Sequence, residues 1–310
     1  MKKLKILICL ISLFYCLYQF YTPKIVILAT YHKPAFLFKS DIVVPIQGGR
    51  NLEKAESKDG FLSKKDIFWM HKNMIGDNTG ENISIKNRRY SELSAIYWAY
   101  KNYEKLGNPD YIGLIHYRRQ FLLNAPHPEW IYKNPYYIVP KPQADHLEKI
   151  GLTKQNLRRI LKKHDIIVHR IQIPKKSKNM EYIYRKNWPF RKNEILNYQK
   201  VMDIVLKHYP DMADDVKTFQ EENKEALANM FIMPRKEFKK YAQFMFRILD
   251  EIDSGLDFSN QNITQRVVGV WGEQLSSFYF HHLEKQGLIV KESKVVFIGD
   301  AEVYAELPTK

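Results

Sequence analysis

The sequence predicts an α/β protein on three observations. Short β-branched runs recur along the chain, stretches with apolar residues at three- and four-residue spacing lie between them, and loops rich in turn-formers follow the first runs. With 310 residues, 45% hydrophobic and 14% aromatic, the chain can bury one large core or two moderate ones, which excludes a disordered protein. Lys and Arg outnumber Asp and Glu by 49 to 34, a formal charge of +15 that favours anionic partners such as nucleotides, acidic lipid surfaces, acidic glycans or nucleic acid. Cys9 and Cys16 both lie near the N-terminus, so the rest of the chain has neither a disulfide framework nor a CxxC metal site.

Leu4 to Tyr21 is an apolar run broken only by Lys5, Ser12 and Gln19, with Lys2 and Lys3 before it and Lys24 after it. It is at the short end of the roughly 17–25 residues a spanning helix needs, and no small-residue cleavage site follows. Residues 1–22 are therefore expected to be an uncleaved membrane anchor, with 23–310 as the folded domain. Lys24–Thr30 is the first strand and runs into a polar loop, Thr30-Tyr-His-Lys-Pro34, so Thr30, His32 and Lys33 are candidate ligand contacts. Asp41–Val44 is a second strand, ending in the turn Pro45-Ile-Gln-Gly-Gly49. No G-x-G-x-x-G or Walker sequence occurs, so another device must hold any phosphate.

Asp77-Asn-Thr-Gly-Glu-Asn-Ile-Ser84 is dense in turn-formers. It suits a ligand loop carrying Asp77 and Asn78, and equally a capped loop that starts the next helix at Ser84. That helix is expected from about Lys86 to Leu106, with Tyr90, Leu93, Tyr97 and Tyr100 on one face. Asn87, Tyr90 and Glu92 near its start are candidate binding residues, with Glu92 able to hold an arginine, while Arg89 suits a plain surface role. After the turn Gly107-Asn-Pro-Asp110, the apolar run Tyr111–Ile115 is a buried strand that delivers His116, Tyr117, Arg118 and Arg119 to its carboxyl end. In open α/β sheets ligands bind at that end, and two adjacent guanidinium forks suit a phosphate-bearing ligand.

Beyond Phe121, the Pro- and aromatic-rich loop Asn124–Pro135 offers rigid aromatic faces of the kind that suit sugar rings. Tyr136–Pro140 and Asp165–His169 are strands, with a helix over Thr153–Lys163 between them. Arg170–Arg191 is basic, with interleaved Tyr182, Tyr184, Trp188 and Phe190. That composition suits nucleic acid, a membrane surface or a lipid-linked pyrophosphate, but no recognised nucleic-acid motif accompanies it.

Helices are expected over Lys192–His208 and Asp211–Glu225, then a strand Ala228–Met233 that carries Asn229 and feeds Pro234. Phe238, Tyr241, Met245, Ile248 and Ile252 form the buried stripe of the following helix. A last helix is expected over Gln274–Lys285. Glu273 at its start is a candidate general base or a helix-dipole charge, Asp257 is the rival base, and Arg266 is a partner for Glu273 or for phosphate. Leu288–Phe297 should add one or two edge strands without a functional role.

Two long motifs, KNRRYSELSAIYWAYKN (Lys86–Asn102) and DYIGLIHYRRQF (Asp110–Phe121), occur with HKP after the first strand, PIQGG, DNTGENIS and NMFIM, all in order. This set resembles a family known as domain of unknown function 4422, regarded as glycosyltransferases of bacterial capsule and lipopolysaccharide synthesis. The resemblance spans Lys24 to the C-terminus and leaves the anchor outside.

It implies a GT-A-like α/β fold in which a nucleotide-sugar-binding sheet is flanked by helices, with a nucleotide half over 23–140 and an acceptor half over 141–310. Transferases of that type usually carry a metal-binding D-x-D where this chain has His116-Tyr117-Arg118. The resemblance therefore assigns the metal's electrostatic work to Arg118 and Arg119, with Mg²⁺ or Mn²⁺ on Asp77 and Glu81 as the alternative. Asn229 and Glu273 match, in placement, donor- or acceptor-facing residues of glycogenin-like transferases.

The implied activity is transfer of a sugar from a nucleoside diphosphate, with a UDP-hexose or UDP-galactofuranose suggested, to a glycan or lipid-linked oligosaccharide hydroxyl at the cytoplasmic face of a bacterial inner membrane. The alternative is a non-catalytic, membrane-tethered protein that binds glycan or nucleic acid.

Overall fold

The computed structural model describes residues 22–52, 56–57, 60–172, 198–222, 224–256 and 266–299. The expected anchor, most of the basic segment 170–191 and Asp257 lie outside these residues. Among the described residues no helix is long and apolar enough to cross a membrane.

The strands are β1 (Ile25–Tyr31), β2 (Val43–Gln47), the small hairpin β3 (Glu56–Ser57) and β4 (Gly60–Phe61), β5 (Ile75–Gly76), β6 (Tyr111–His116), β7 (Arg119–Leu122), β8 (Ile131–Lys133), β9 (Tyr136–Val139), β10 (Ile166–Gln172), β11 (Lys224–Pro234), β12 (Val290–Glu292) and β13 (Lys294–Ile298). The helices are α1 (Lys64–Asn73), α2 (Asn87–Tyr90), α3 (Leu93–Lys101), α4 (His146–Lys149), α5 (Lys154–Leu161), α6 (Tyr198–His208), α7 (Ala213–Phe219), α8 (Arg235–Ser254) and α9 (Val267–Lys285).

The fold is mixed α/β, with a central mixed sheet in the order β12-β10-β11-β6-β1-β2-β5. β6, β1, β2 and β5 run parallel, whereas β11 is antiparallel to both β6 and β10. Alternation along β1 builds both faces: Val26 and Leu28 join the core under α3, α6, α8 and α9, while Ile25, Ile27, Ala29 and Tyr31 join the core on the other face. That second core is closed by a smaller sheet in the order β7-β13-β9-β8. Because β13 lies between β7 and β9, the C-terminal strand is interior to its sheet, and only β12 is an edge.

Three helix expectations change. The helix expected over Lys86–Leu106 is broken: α2 stops at Ser91, whose φ of 50° is left-handed, and α3 restarts after Glu92. The helix expected over 211–225 ends at Phe219, because Lys224 and Glu225 already pair with Gln172 and Ile171 as strand residues. The last helix begins at Val267 rather than Gln274, which leaves Glu273 inside it. Its early start is allowed by two close approaches: a Cβ on Gly269 would meet Ser91 Oγ at 2.9 Å, and one on Gly272 would clash with Leu93 Cδ1.

Candidate active site

The loops after β1, β2, β5 and β6 leave the parallel part of the sheet at one edge, where its strand ends bring Thr30 beside His116. Thr30 is buried and donates to the Ile115 carbonyl at 3.2 Å, so it ties two strands together. His32 and Lys33 are partly buried just beyond it. The Tyr117 ring stacks on Tyr31 at 5.5 Å and meets the edge of His32 at 5.3 Å.

At the centre, β11 departs from regular geometry. Its register with β10 shifts between Val168 and Arg170, and Ala228 and Asn229 both have positive φ, 62° and 49°. Two consecutive left-handed non-glycine residues are uncommon and are held only by strong surroundings. Those surroundings are candidate site residues. His116 Nε2 lies 2.6 Å from the Ala228 carbonyl, and Glu273 Oε1 accepts from the Ala228 amide at 3.1 Å. Asn229, fully buried, donates to Glu92 Oε1 at 2.8 Å and accepts from Ser276 Oγ at 2.8 Å. The break at Ser91 places Glu92 ahead of α3, within reach of Asn229.

Burial lowers the pKa of His116, with Arg119 and Arg118 adding to the effect, and Glu92 and its bond to Ala228 oppose it. The neutral ring then donates from Nε2 to the carbonyl.

Arg118 and Arg119 leave β6 for β7 and converge on one ring, that of Phe297, with guanidinium carbons 5.8 and 5.5 Å from its centroid; Arg118 also lies 5.3 Å from the Tyr117 ring. The Ile298 amide donates to the Arg118 carbonyl at 2.8 Å, which fixes β13 against this turn. The charge of Arg119 reaches Tyr136, His116 and His169, while the charge of Glu273 also acts on Tyr136. The arginines and the β11 bulge therefore belong to one electrostatic neighbourhood. Phe297, Tyr136 and Ser276 were not singled out from the sequence. The tail around Phe297 and the strand holding Tyr136 carry only apolar and aromatic signals, and nothing local shows that they meet the arginines.

The remaining candidates serve the framework. Asp77 is fully buried and accepts from the Gly49 amide (2.8 Å), the Arg50 amide (3.1 Å), Ser84 Oγ (2.5 Å) and Ser94 Oγ (2.7 Å). It fastens the Pro45–Gly49 turn to α3, and its four donors leave its oxygens unsuited to a cation. Glu81 is exposed and bound to Tyr97 and Lys101, so the Asp77–Glu81 metal alternative does not fit these donors. Among the described residues no three His, Cys, Asp or Glu side chains converge as a metal site would require.

Asn87 donates to the Ser91 carbonyl and to Ser94 Oγ, both at 2.7 Å, beneath the Gly48–Gly49 turn. Asn78 binds Asn51. Tyr90 is fully buried, with its hydroxyl 3.4 Å from Asp250 Oδ1. Arg89 pairs with Asp253, and Arg266 donates to Ser91 Oγ at 3.3 Å rather than to Glu273.

A family model described as a domain of unknown function, DUF4422, matches residues 25–285. The chain belongs to the DUF4422 family. The DUF4422 region takes in β1 through α9, and so both arginines, the β11 bulge and Glu273, while β13 with Phe297 follows it. Among solved structures the chain is similar to the apo form of WbbM, described as a bifunctional glycosyltransferase, with a TM-score of 0.73 and 27% identity over 89% of this chain. The match covers 46% of WbbM, so the chain spans about half the length of that protein. No curated protein matches it.

Proposed function

We propose that this chain is a GT-A-like glycosyltransferase that moves a sugar from a nucleoside diphosphate donor, a UDP-hexose or UDP-galactofuranose, to a hydroxyl of a capsule, lipopolysaccharide or other surface-glycan precursor. The observation that carries this reading is the convergence of Arg118 and Arg119 on Phe297 at the carboxyl end of β6, where related transferases hold a metal on carboxylates. Two fixed guanidinium groups there offset the diphosphate charge and stabilise the departing nucleotide as the glycosidic bond breaks. The likeness to WbbM, a bifunctional glycosyltransferase, supports the same reading.

In this mechanism the nucleotide lies over Thr30–Lys33, beside the stacked Tyr31 and Tyr117, with its diphosphate at the arginines. Glu273 takes the proton of the acceptor hydroxyl as that oxygen attacks the anomeric carbon. Its hydrogen bond from the Ala228 amide orients the carboxylate. Glu92, held in place by the buried Asn229, supplies a polar contact to a sugar ring. The N-terminal apolar run, residues 1–22, attaches the enzyme to the cytoplasmic face of a bacterial membrane, where nucleotide sugars and lipid-linked acceptors meet.

The test is thermal unfolding with UDP, GDP, CDP or CMP, each with EDTA or Mn²⁺. Selective stabilisation by one nucleotide that survives EDTA and is lost in Arg118→Ala is expected, because a ligand bound to the native state raises the midpoint by mass action. A shift that needs Mn²⁺ overturns the arginine role. No shift with any nucleotide, in a folded protein, overturns the transferase reading.

A further inference from the structure

α5 and the turn after it carry a charge pattern that the transfer chemistry does not use. The helix buries Leu157 and Ile160, while Lys154, Gln155, Arg158, Arg159 and Lys162 line an open groove of about 410 Å³ on its outer side. Lys154, Arg158 and Lys162 recur every four residues, so they form a row along one face with about 6 Å of rise between neighbours. Arg159, one residue round, is exposed and donates to Asn156 Oδ1 at 2.8 Å. Among the described residues no carboxylate pairs with any of these four cations, whereas Lys149, just before α5, pairs with Asp145.

A second feature adjoins the row. Beyond the exposed Lys162 and Lys163 the chain reaches Asp165, whose amide donates to the Ile289 carbonyl at 2.8 Å and whose Oδ2 accepts from the Ile289 amide at 2.7 Å. That ladder holds Ile289 at the start of the edge strand with its side chain 58% exposed. A row of uncompensated cations ending near an exposed aliphatic side chain is the composition of an interfacial membrane contact, in which the charges meet phosphate headgroups and the apolar group enters the boundary.

We propose that the α5 face is a docking surface for an anionic phospholipid bilayer. It seats the folded body on the membrane independently of the sugar chemistry and in addition to the N-terminal apolar run. An open helical face suits a flat array of headgroups better than an enclosed ligand, and the exposed Arg159 and Lys162 can reach them without moving the buried Leu157 and Ile160.

The full chain is titrated with neutral phosphatidylcholine vesicles and with vesicles containing phosphatidylglycerol, at low and at high salt. Insertion of the apolar run contributes to both lipid mixtures, so the difference between them reports the chain's cationic surfaces, and the charge variants assign it among them. Wild-type protein is expected to bind the anionic vesicles at least tenfold more tightly, with the difference shrinking at high salt.

The triple change Arg158→Gln, Arg159→Gln and Lys162→Gln should remove most of that difference, and Ile289→Ser should weaken binding a few-fold. Both variants should keep the wild-type unfolding midpoint and nucleotide response. The matched triple change Lys236→Gln, Lys239→Gln and Lys240→Gln, on exposed lysines of α8, removes the same charge and should leave the difference intact. Retention of the lipid preference by the α5 variant, or equal loss in the α8 variant, overturns the proposal. So does a groove that binds a soluble acidic polysaccharide but shows no preference for anionic vesicles.

Discussion

His116 Nε2 lies 2.6 Å from the carbonyl oxygen of Ala228, a residue held in left-handed backbone geometry. Since Glu273 takes the amide of the same residue, one peptide segment is gripped from β6 at one end and from α9 at the other. The strain of the Ala228–Asn229 pair is thereby coupled to two residues of the candidate active site.

Glu273→Gln keeps an oxygen that can accept from the Ala228 amide but cannot take a proton. Turnover, measured as release of nucleoside diphosphate, should fall about 100-fold or more, while the nucleotide-induced shift in unfolding midpoint stays near wild type. Normal turnover in this variant would remove Glu273 as the base.

Arg118→Ala and Arg119→Ala should each weaken nucleoside diphosphate binding by about tenfold or more, the scale of a lost charged hydrogen bond. Phe297→Leu retains apolar volume but loses the ring beneath both guanidinium groups, so a few-fold loss is expected. Isothermal titration in EDTA compares the three variants directly.

Asn229→Ala removes the bonds to Glu92 and Ser276 and leaves the Ser276 hydroxyl without its bond to Oδ1. A loss of about 1–3 kcal/mol in denaturant unfolding is expected, together with reduced turnover. Asn229→Gly separates the two effects, because it relieves the positive φ while losing the same bonds.

Asp77→Ala strands the donors now satisfied by one buried carboxylate, including the Gly49 amide and Ser94. Destabilisation of about 3 kcal/mol or more is expected from urea titration. The EDTA response of nucleotide binding should stay unchanged.

Stability should fall as pH drops from about 6.5 towards 4. Burial depresses both His146 and His169 to about 4. In that window the unfolded chain takes up protons that the native state does not, so the stabilisation is complete above pH 6.5 and is progressively lost below it. The lowered pKa values of Asp215, held by His282 and Lys285, and of Asp253, held by Lys86 and Arg89, act in the same direction at lower pH. Urea titrations across pH 4–7 check the slope, and His169→Gln should flatten part of it.

The α/β class, β1, β6, the stripe of α8 and the arrival of His116 to Arg119 at a strand end were legible locally. Each rests on periodicity or on short-range turn chemistry, which neighbouring residues suffice to set. The family was legible too, because its motifs occur in a fixed order. Helix boundaries were less so: the break at Ser91 and the early start of α9 arise where Gly269 and Gly272 let one helix press on Ser91 and Leu93, a contact between residues far apart in the chain.

By itself, then, the sequence determined the α/β class, the strands β1 and β6, the stripe of α8 and which charged residues reach the sheet's carboxyl edge, while α1 and the short strands β5 and β8 were not legible in it. Only the tertiary structure decided that Asp77 is buried as a framework group, that Glu273 lies within α9 and faces Ala228, and that the C-terminal Phe297 lies within about 6 Å of both arginines. The reason is physical. Periodicity reports which face of an element is apolar, whereas the partner of a buried carboxylate or a guanidinium group is chosen by whichever distant element packs against it, and that choice exists only once the sheet order is formed.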